Sequence, residues 1–249
     1  MGAAHPVHIL NIPKKVVFLY SWTLQSELDA LFGLKAYDAK VGGGGAWKAA
    51  NFLSADKNLL VVCLPLGGPI TAIATEQVAV LGGRDVLIVG AAGGINPSLS
   101  IADIVVCKRA IRDEGTSHHY VANAKYAYPN KALTDELVRF LKRGAINHWK
   151  GTTWTIDAAF AETKQEIAHY RSQGVMTVEM EAATLFAVAR RRKLRAAAVF
   201  TISDLLGVKW SGFKEVRDGY KNLARVVQEF KDGPNAGILD VQTRPCLLS

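Results

Sequence analysis

The sequence predicts one α/β domain over residues 1–249, with a central, mainly parallel or mixed β-sheet flanked by helices in three α/β/α layers. Three observations lead there. Short apolar β-type runs alternate with helical patterns nearly throughout. Several of those runs are continuous rather than alternating, as in strands covered on both faces. No repeat, low-complexity linker or abrupt change in composition divides the chain.

The elements follow in order. KVVFLY (15–20) and NLLVVCL (58–64) are unbroken apolar runs and read as strands. ITAIATEQVAVLGG (70–83) is helical and runs into a glycine stop. DVLIVG (85–90) and DIVVCKRAI (103–111) are strands again. LTDELVRFLKRG (133–144) is a helix that ends at Gly144 as at a C-cap. GTTWTI (151–156) is a strand, and ETKQEIAHYRSQG (162–174) is a helix with Thr163 and Glu166 at capping-box spacing. VMTVE (175–179) reads as strand, AATLFAVARRR (182–192) as helix, and AAAVFTIS (196–203) as strand. Phe213, Val216, Tyr220, Leu223, Val227 and Phe230 step by three and four, giving one apolar stripe on a last helix that stops near Gly233-Pro234.

Composition narrows the function classes. No apolar run approaches the ~20 residues of a membrane span. NLLVVCLPLGGPI, the longest candidate, is interrupted by Pro65 and Gly67-Gly68. The first residues lack the charged-then-apolar pattern of a secretory signal, so a cytoplasmic protein is expected. Cys63, Cys107 and Cys246 are far apart and show no metal spacing; no disulfide framework and no metal site are expected, and Cys63 and Cys107 read as core thiols. The net charge of +8 raises the question of nucleic acid, but the densest cluster, ARRRKLR (189–195), closes a helix, where cations complement the dipole. It carries no interleaved aromatics, so no nucleic-acid partner is expected. The charge suits attraction of an anionic substrate instead.

GVMTVEMEAATLFAVA (174–189) places two carboxylates two residues apart in an apolar run, where burial is costly unless something pairs with them. Glu179 and Glu181 straddle a strand-to-helix junction at the rim of the sheet. There they can accept hydrogen bonds from vicinal hydroxyls, as on a ribose, and stabilise a developing cation; Glu181 can equally serve the helix N-terminus. A second strand ends in TISDLLG. Asp204 there suits a general acid, its pKa raised by desolvation, or an N-cap.

VEMEAA, followed about twenty residues later by ISD, resembles the nucleoside phosphorylase and nucleosidase family. The likeness continues in LGGPITAIATEQVAVLGG and VLIVGAAGGINPSLSIADIVV; GGP is similar to the uridine and purine phosphorylases, and AAGG to the methylthioadenosine/adenosylhomocysteine nucleosidases. Collinear similarity runs from Asn58 to Gly207. The resemblance implies cleavage of a nucleoside's N-glycosidic bond through a ribosyl cation-like transition state, with no resident cofactor. It implies that Glu181 holds the ribose hydroxyls, Met180 and Glu179 frame the sugar, and Asp204 protonates a departing purine. Phe160 falls where the family sets an aromatic against the base, or is plain core. Val178, Ala92, Gly93 and Ser203 are expected to border the substrate.

The nucleophile is set by departures from the family pattern. Phosphorylases carry an early GDP turn with a nearby arginine, where this chain has LYSWTLQ. They carry an arginine and a Ser or Thr where this chain has Ile88 and Ala91. A dianionic phosphate needs donors and positive charge, which leaves Lys35, Lys40 or a neighbouring subunit to supply them. The nucleosidases use water oriented by an early glutamate, and Glu27 is the candidate, or else a surface helix residue. Water is therefore the expected nucleophile, with inorganic phosphate as co-substrate, or a catalytically weak nucleoside-binding protein, as the alternatives. His8 falls where phosphorylases supply a histidine across a subunit boundary, which implies a homo-oligomer, dimer or hexamer; a terminal histidine without a role is the plainer reading. His118 and His119 could line the same mouth.

Overall fold

The computed structural model describes residues 11–42, 49–122, 124–206 and 216–233. The predicted architecture is observed: one α/β unit around a single mixed sheet. In chain order the elements are β1 (Lys15–Leu19), α1 (Trp22–Phe32), β2 (Lys35–Ala36), β3 (Ala50–Leu53), β4 (Leu59–Cys63), α2 (Gly68–Val80), β5 (Asp85–Gly94), β6 (Ile104–Asp113), β7 (Tyr126–Ala127), α3 (Lys131–Arg143), β8 (His148–Ile156), α4 (Lys164–Ser172), β9 (Val175–Glu179), α5 (Ala182–Arg192), β10 (Arg195–Leu205) and α6 (Arg217–Asp232). Short 3-10 turns cover Thr116–His119 and Ala159–Ala161.

The continuous apolar runs are explained by the layers. Val16, Phe18, Leu60, Val62, Val86 and Ile88 point to one face, against α2 and α5. The alternate residues Val17, Leu19, Leu59, Val61, Leu87 and Val89 point to the other, against α1, α3 and α6. Cys63 and Cys107 are buried, and loss of solvation pushes the Cys63 thiol up to about 12, which keeps it an inert part of the core.

β1, β4, β5 and β10 run parallel, and β5 changes partners along its length. Its first residues pair with β1 on one side and β10 on the other. At Gly93 and Gly94 its partner on the β1 side becomes β9, antiparallel. β9 continues to β8, β8 to β6, and β6 returns to β10. The five strands β5, β9, β8, β6 and β10 thus form a closed circuit, and closure of this kind removes free edges. β5 is longer than expected, because AAGG continues the strand rather than ending it. The small strands β2, β3 and β7 were not foreseen; β2 has only two residues.

Local signals are mostly met. Thr163 and Glu166 form the expected capping box at the start of α4. Gly144 caps α3 without a left-handed φ, and a Cβ there would stand 3.3 Å from the Arg225 guanidinium of α6. Arg190, Arg191 and Arg192 occupy the last turn of α5, as the dipole argument requires. Phe213 and Cys246 lie outside the described residues. Among the described residues, no helix is long and apolar enough to cross a membrane.

Candidate active site

Register brings three strand ends together. Gly93 of β5 pairs with Val178 of β9 on one side and with Asp204 of β10 on the other. Glu179 is the next residue after Val178, so the acids of β9 and β10 stand on the two strands that flank β5, with a glycine of β5 between them. A Cβ at Gly93 would lie 2.4 Å from Leu206, 3.0 Å from Val178 and 3.6 Å from Asp204 Oδ2. Only hydrogen fits that approach. A slip in the β10 register between Ile202 and Asp204 lets both Ser203 and Asp204 serve the same rim. Ser203 Oγ donates to Asp204 Oδ1 at 2.7 Å and reaches the Ala92 carbonyl at 3.5 Å.

The two glutamates are buried to 7% and 5% exposure, and they divide their tasks. Glu179 Oε2 accepts from the backbone N–H of Glu181 at 2.8 Å and of Ala182 at 2.7 Å, and Oε1 accepts from Thr155 Oγ1 at 2.5 Å. Glu179 therefore satisfies the first amides of α5. Glu181, the N-cap by position, makes no side-chain cap. Its Oε1 accepts instead from the Gly67 N–H at 2.8 Å, and its Oε2 from the Met180 N–H at 3.2 Å. The helix-terminus role considered for Glu181 belongs to Glu179. Burial raises both carboxyls above the ordinary range. The charge of Glu179 raises Glu181 further, whereas Thr155 and the α5 amides partly restore Glu179.

Gly67 has φ +109°, a conformation that favours glycine, and it precedes α2. Thr71 Oγ1 donates to the Gly67 carbonyl at 2.9 Å and lies 2.7 Å from Tyr20 Oη. Because the Thr71 hydrogen is committed, Tyr20 is the donor of that second bond. Burial and then Glu181 push the Tyr20 phenol well above its usual range, so it stays neutral. Beside Gly68, Thr184 Oγ1 donates to Glu114 Oε2 at 2.9 Å, and Glu114 accepts from the Ser117 N–H. A Cβ at Gly68 would meet Thr184, Thr116 and Glu114 within 3.3 Å, which packs the 116–119 turn against the site.

Val178, Glu179, Met180, Glu181, Ala92, Gly93, Ser203 and Asp204 are thus gathered at one rim. Phe160 is fully exposed on the 3-10 turn after β8, not packed in the core. Glu27 lies in α1, on the face of the sheet opposite α5, and borders a groove with Arg217, Tyr220 and Lys221. Lys35 is on β2, at the far margin of the sheet beyond β1, β4 and β3, and Lys40 is exposed beside Asp38. His118 Nε2 contacts the Arg112 carbonyl. His8 lies outside the described residues. Sequence reasoning missed Gly67, Thr71, Thr155 and Tyr20. The glycine pair and the same-face spacing of Thr153 and Thr155 were the available signals.

Among the described residues, no group of three or more His, Cys, Asp or Glu could hold a metal ion. Comparison with known proteins agrees with the geometry. The family described as the phosphorylase superfamily matches residues 28–231. A guanosine phosphorylase from Halorubrum lacusprofundi is 30% identical over 160 residues, covering 64% of this chain and 66% of that protein. A uridine phosphorylase from Haemophilus influenzae is 30% identical over 155 residues, covering 56% and 62%. The chain thus spans less than two thirds of the length of these curated relatives. A solved uridine phosphorylase from Vibrio fischeri ES114 superposes with a TM-score of 0.76 at 21% identity, over 88% of this chain and 91% of that one.

Proposed function

The chain belongs to the phosphorylase superfamily, and from that premise we propose that it is an enzyme cleaving the N-glycosidic bond of a nucleoside, a purine rather than a pyrimidine, with inorganic phosphate as the attacking group. The observation that carries the reading is the register at Gly93, which sets Asp204 on one side of β5 and Val178, the residue leading into Glu179 and Glu181, on the other. A carboxylate under the sugar is stabilised more as positive charge grows on the ribosyl ring than in the ground state, which is the condition for catalysis. Phosphate oxygen bonds to C1′ while the C1′–N9 bond breaks, its electron pair stays with the purine, and Asp204 gives a proton to N7. Fixed donors hold Glu181, so little reorganisation accompanies the step.

Phosphate replaces water as the leading nucleophile for two reasons. The curated relatives reported above are phosphorylases, and Glu27, the residue expected to activate water, sits on the other face of the sheet. Hydrolysis remains the second reading because Ile88 is buried among apolar side chains and neither it nor Ala91 offers charge or a donor. The test is base release from adenosine, inosine, guanosine and uridine in buffers with and without phosphate. The expected result is phosphate-dependent release of purine with ribose 1-phosphate as co-product. Equal rates in both buffers would establish hydrolysis. Asp204→Asn is expected to lose about 10²- to 10⁴-fold in kcat on purine nucleosides while still binding them. Undiminished turnover would remove Asp204 from the mechanism.

A further inference from the structure

We infer that Glu114, acting through Thr184, is a positioning residue for Glu181: it sets the approach of α2 to α5 across which Gly67 holds that carboxylate. The inference rests on the proposed function, since it concerns how the sugar-facing group of that reaction is kept in place.

Glu181 is held from two sides. Its Oε2 accepts from the Met180 N–H beside it in the chain, but its Oε1 accepts from the Gly67 N–H at 2.8 Å, at the start of another helix. The second bond therefore depends on how α2 sits against α5. The two helices meet at Gly68. A Cβ there would stand 2.8 Å from Thr184 Oγ1, 3.1 Å from Thr116 Oγ1 and 3.3 Å from Glu114 Oε2, so this contact has no room for a side chain. Thr184 is wholly buried in the first turn of α5, three residues after Glu181. Its hydroxyl donates to Glu114 Oε2 at 2.9 Å, which fixes the surface that Gly68 packs on.

Glu114 is itself anchored. It is buried, and both its oxygens accept from the Ser117 N–H, at 3.2 and 2.9 Å. Ser117 Oγ accepts in turn from Arg112 Nε at 2.8 Å, and the buried Arg112 guanidinium also donates to the Ala124 and Val121 carbonyls. Helix capping does not require this carboxyl. Glu179 already accepts from the first amides of α5, and Thr155 Oγ1 accepts from the Ala183 N–H at 3.1 Å. Burying a carboxyl is costly unless it is hydrogen-bonded, and the side-chain donor it meets here is the hydroxyl at the α2–α5 contact. Without that bond the hydroxyl is free to turn, the contact at Gly68 loosens, and the Gly67 N–H draws away from Glu181. Misplacing a reacting group by about 1 Å can cost about 10²-fold in rate.

The experiment measures base release from adenosine and inosine, with phosphate present, in the wild type, Thr184→Val, Thr184→Ser and Glu114→Gln. Sites in each preparation are counted by calorimetric titration with free adenine or hypoxanthine, so kcat is read per intact site. Thr184→Val keeps the shape and loses the hydroxyl; Glu114→Gln turns an amide N–H towards one of the two donors that the carboxyl accepted. Each is expected to lower kcat per site by about 10- to 100-fold. The Kd for free base, which lies at the Asp204 end, is expected to stay within about twofold. Thr184→Ser retains the donor and is expected to keep kcat within about threefold of the wild type. If Thr184→Val binds no base, Glu114→Gln carries the comparison. An unchanged kcat per site in either variant overturns the inference. So does Thr184→Ser performing no better than Thr184→Val, or base binding that weakens in step with kcat, which marks a general distortion. Loss of base binding in both Thr184→Val and Glu114→Gln overturns it too, by making the pair a requirement of folding. Release of base from neither nucleoside by the wild type overturns the proposed function itself, and this inference with it.

Discussion

Glu179 and Glu181 are two residues apart, both buried, yet opposite in use: one accepts from two backbone amides and two threonine hydroxyls around α5 and β8, the other is held by two amides at the rim. The sign of their pH effect follows. Both carboxyls sit above the ordinary range in the folded protein, so between the unfolded and folded values the native state binds more protons. Their contribution to stability is therefore present at acid pH and is lost as pH rises through the folded values. Glu181→Gln removes a charge from this buried pair. It is expected to raise Tm by about 2–4 °C at pH 8, for each kcal/mol relieved, and by less at pH 5, while abolishing most nucleoside cleavage. A thermal melt at the two pH values checks this. A variant less stable at pH 8 than the wild type would contradict the assigned burial cost.

Packing between elements is governed by a few contacts where no side chain fits. Gly219 in the first turn of α6 is one of them, since a Cβ there would stand 2.0 Å from Thr201 Oγ1 on β10. Thr201 Oγ1 is itself buried without a hydrogen-bond partner in the described structure. Gly219→Ala is expected to cost about 1–3 kcal/mol in urea unfolding through overpacking. Adding Thr201→Ala, which removes the obstructing hydroxyl and methyl, is expected to recover most of the loss. Absence of coupling between the two substitutions would show that α6 docks differently. At this scale the sequence was only partly readable. The capping box of α4 and the dipole-matched arginines of α5 depend on neighbours along the chain and were visible. The change of partners by β5 at Gly93 depends on a contact with β9 more than eighty residues away, and AAGG alone carries no sign of it.

Across the whole molecule, legibility followed the same division. The alternation of apolar runs and helical stripes specified three layers, because each face of the sheet must be covered. Glu181 could be placed just beyond one strand and Asp204 at the end of another from pattern, and the register sets those two strands on either side of β5. Glu27 could not be assigned in that way, since which face a helix covers is decided by the crossover and not by its own residues. Stability is expected to be uneven: amides in β5 and β10, at the centre of the circuit, should exchange slowest, and those of β2 and β3 at the outer margin fastest. Hydrogen exchange read by mass spectrometry tests this. Faster exchange in β10 than in β3 would argue against closure.

That closed circuit has a consequence for how such a protein can change its preferences. The span between the ends of β9 and β10 is two steps of the spacing between hydrogen-bonded strands, so it cannot be lengthened by a small amount without opening the ladder. Any change in what the rim accommodates must therefore come from the segments that follow the strands, such as 157–163 after β8, while the ruler beneath them stays the same.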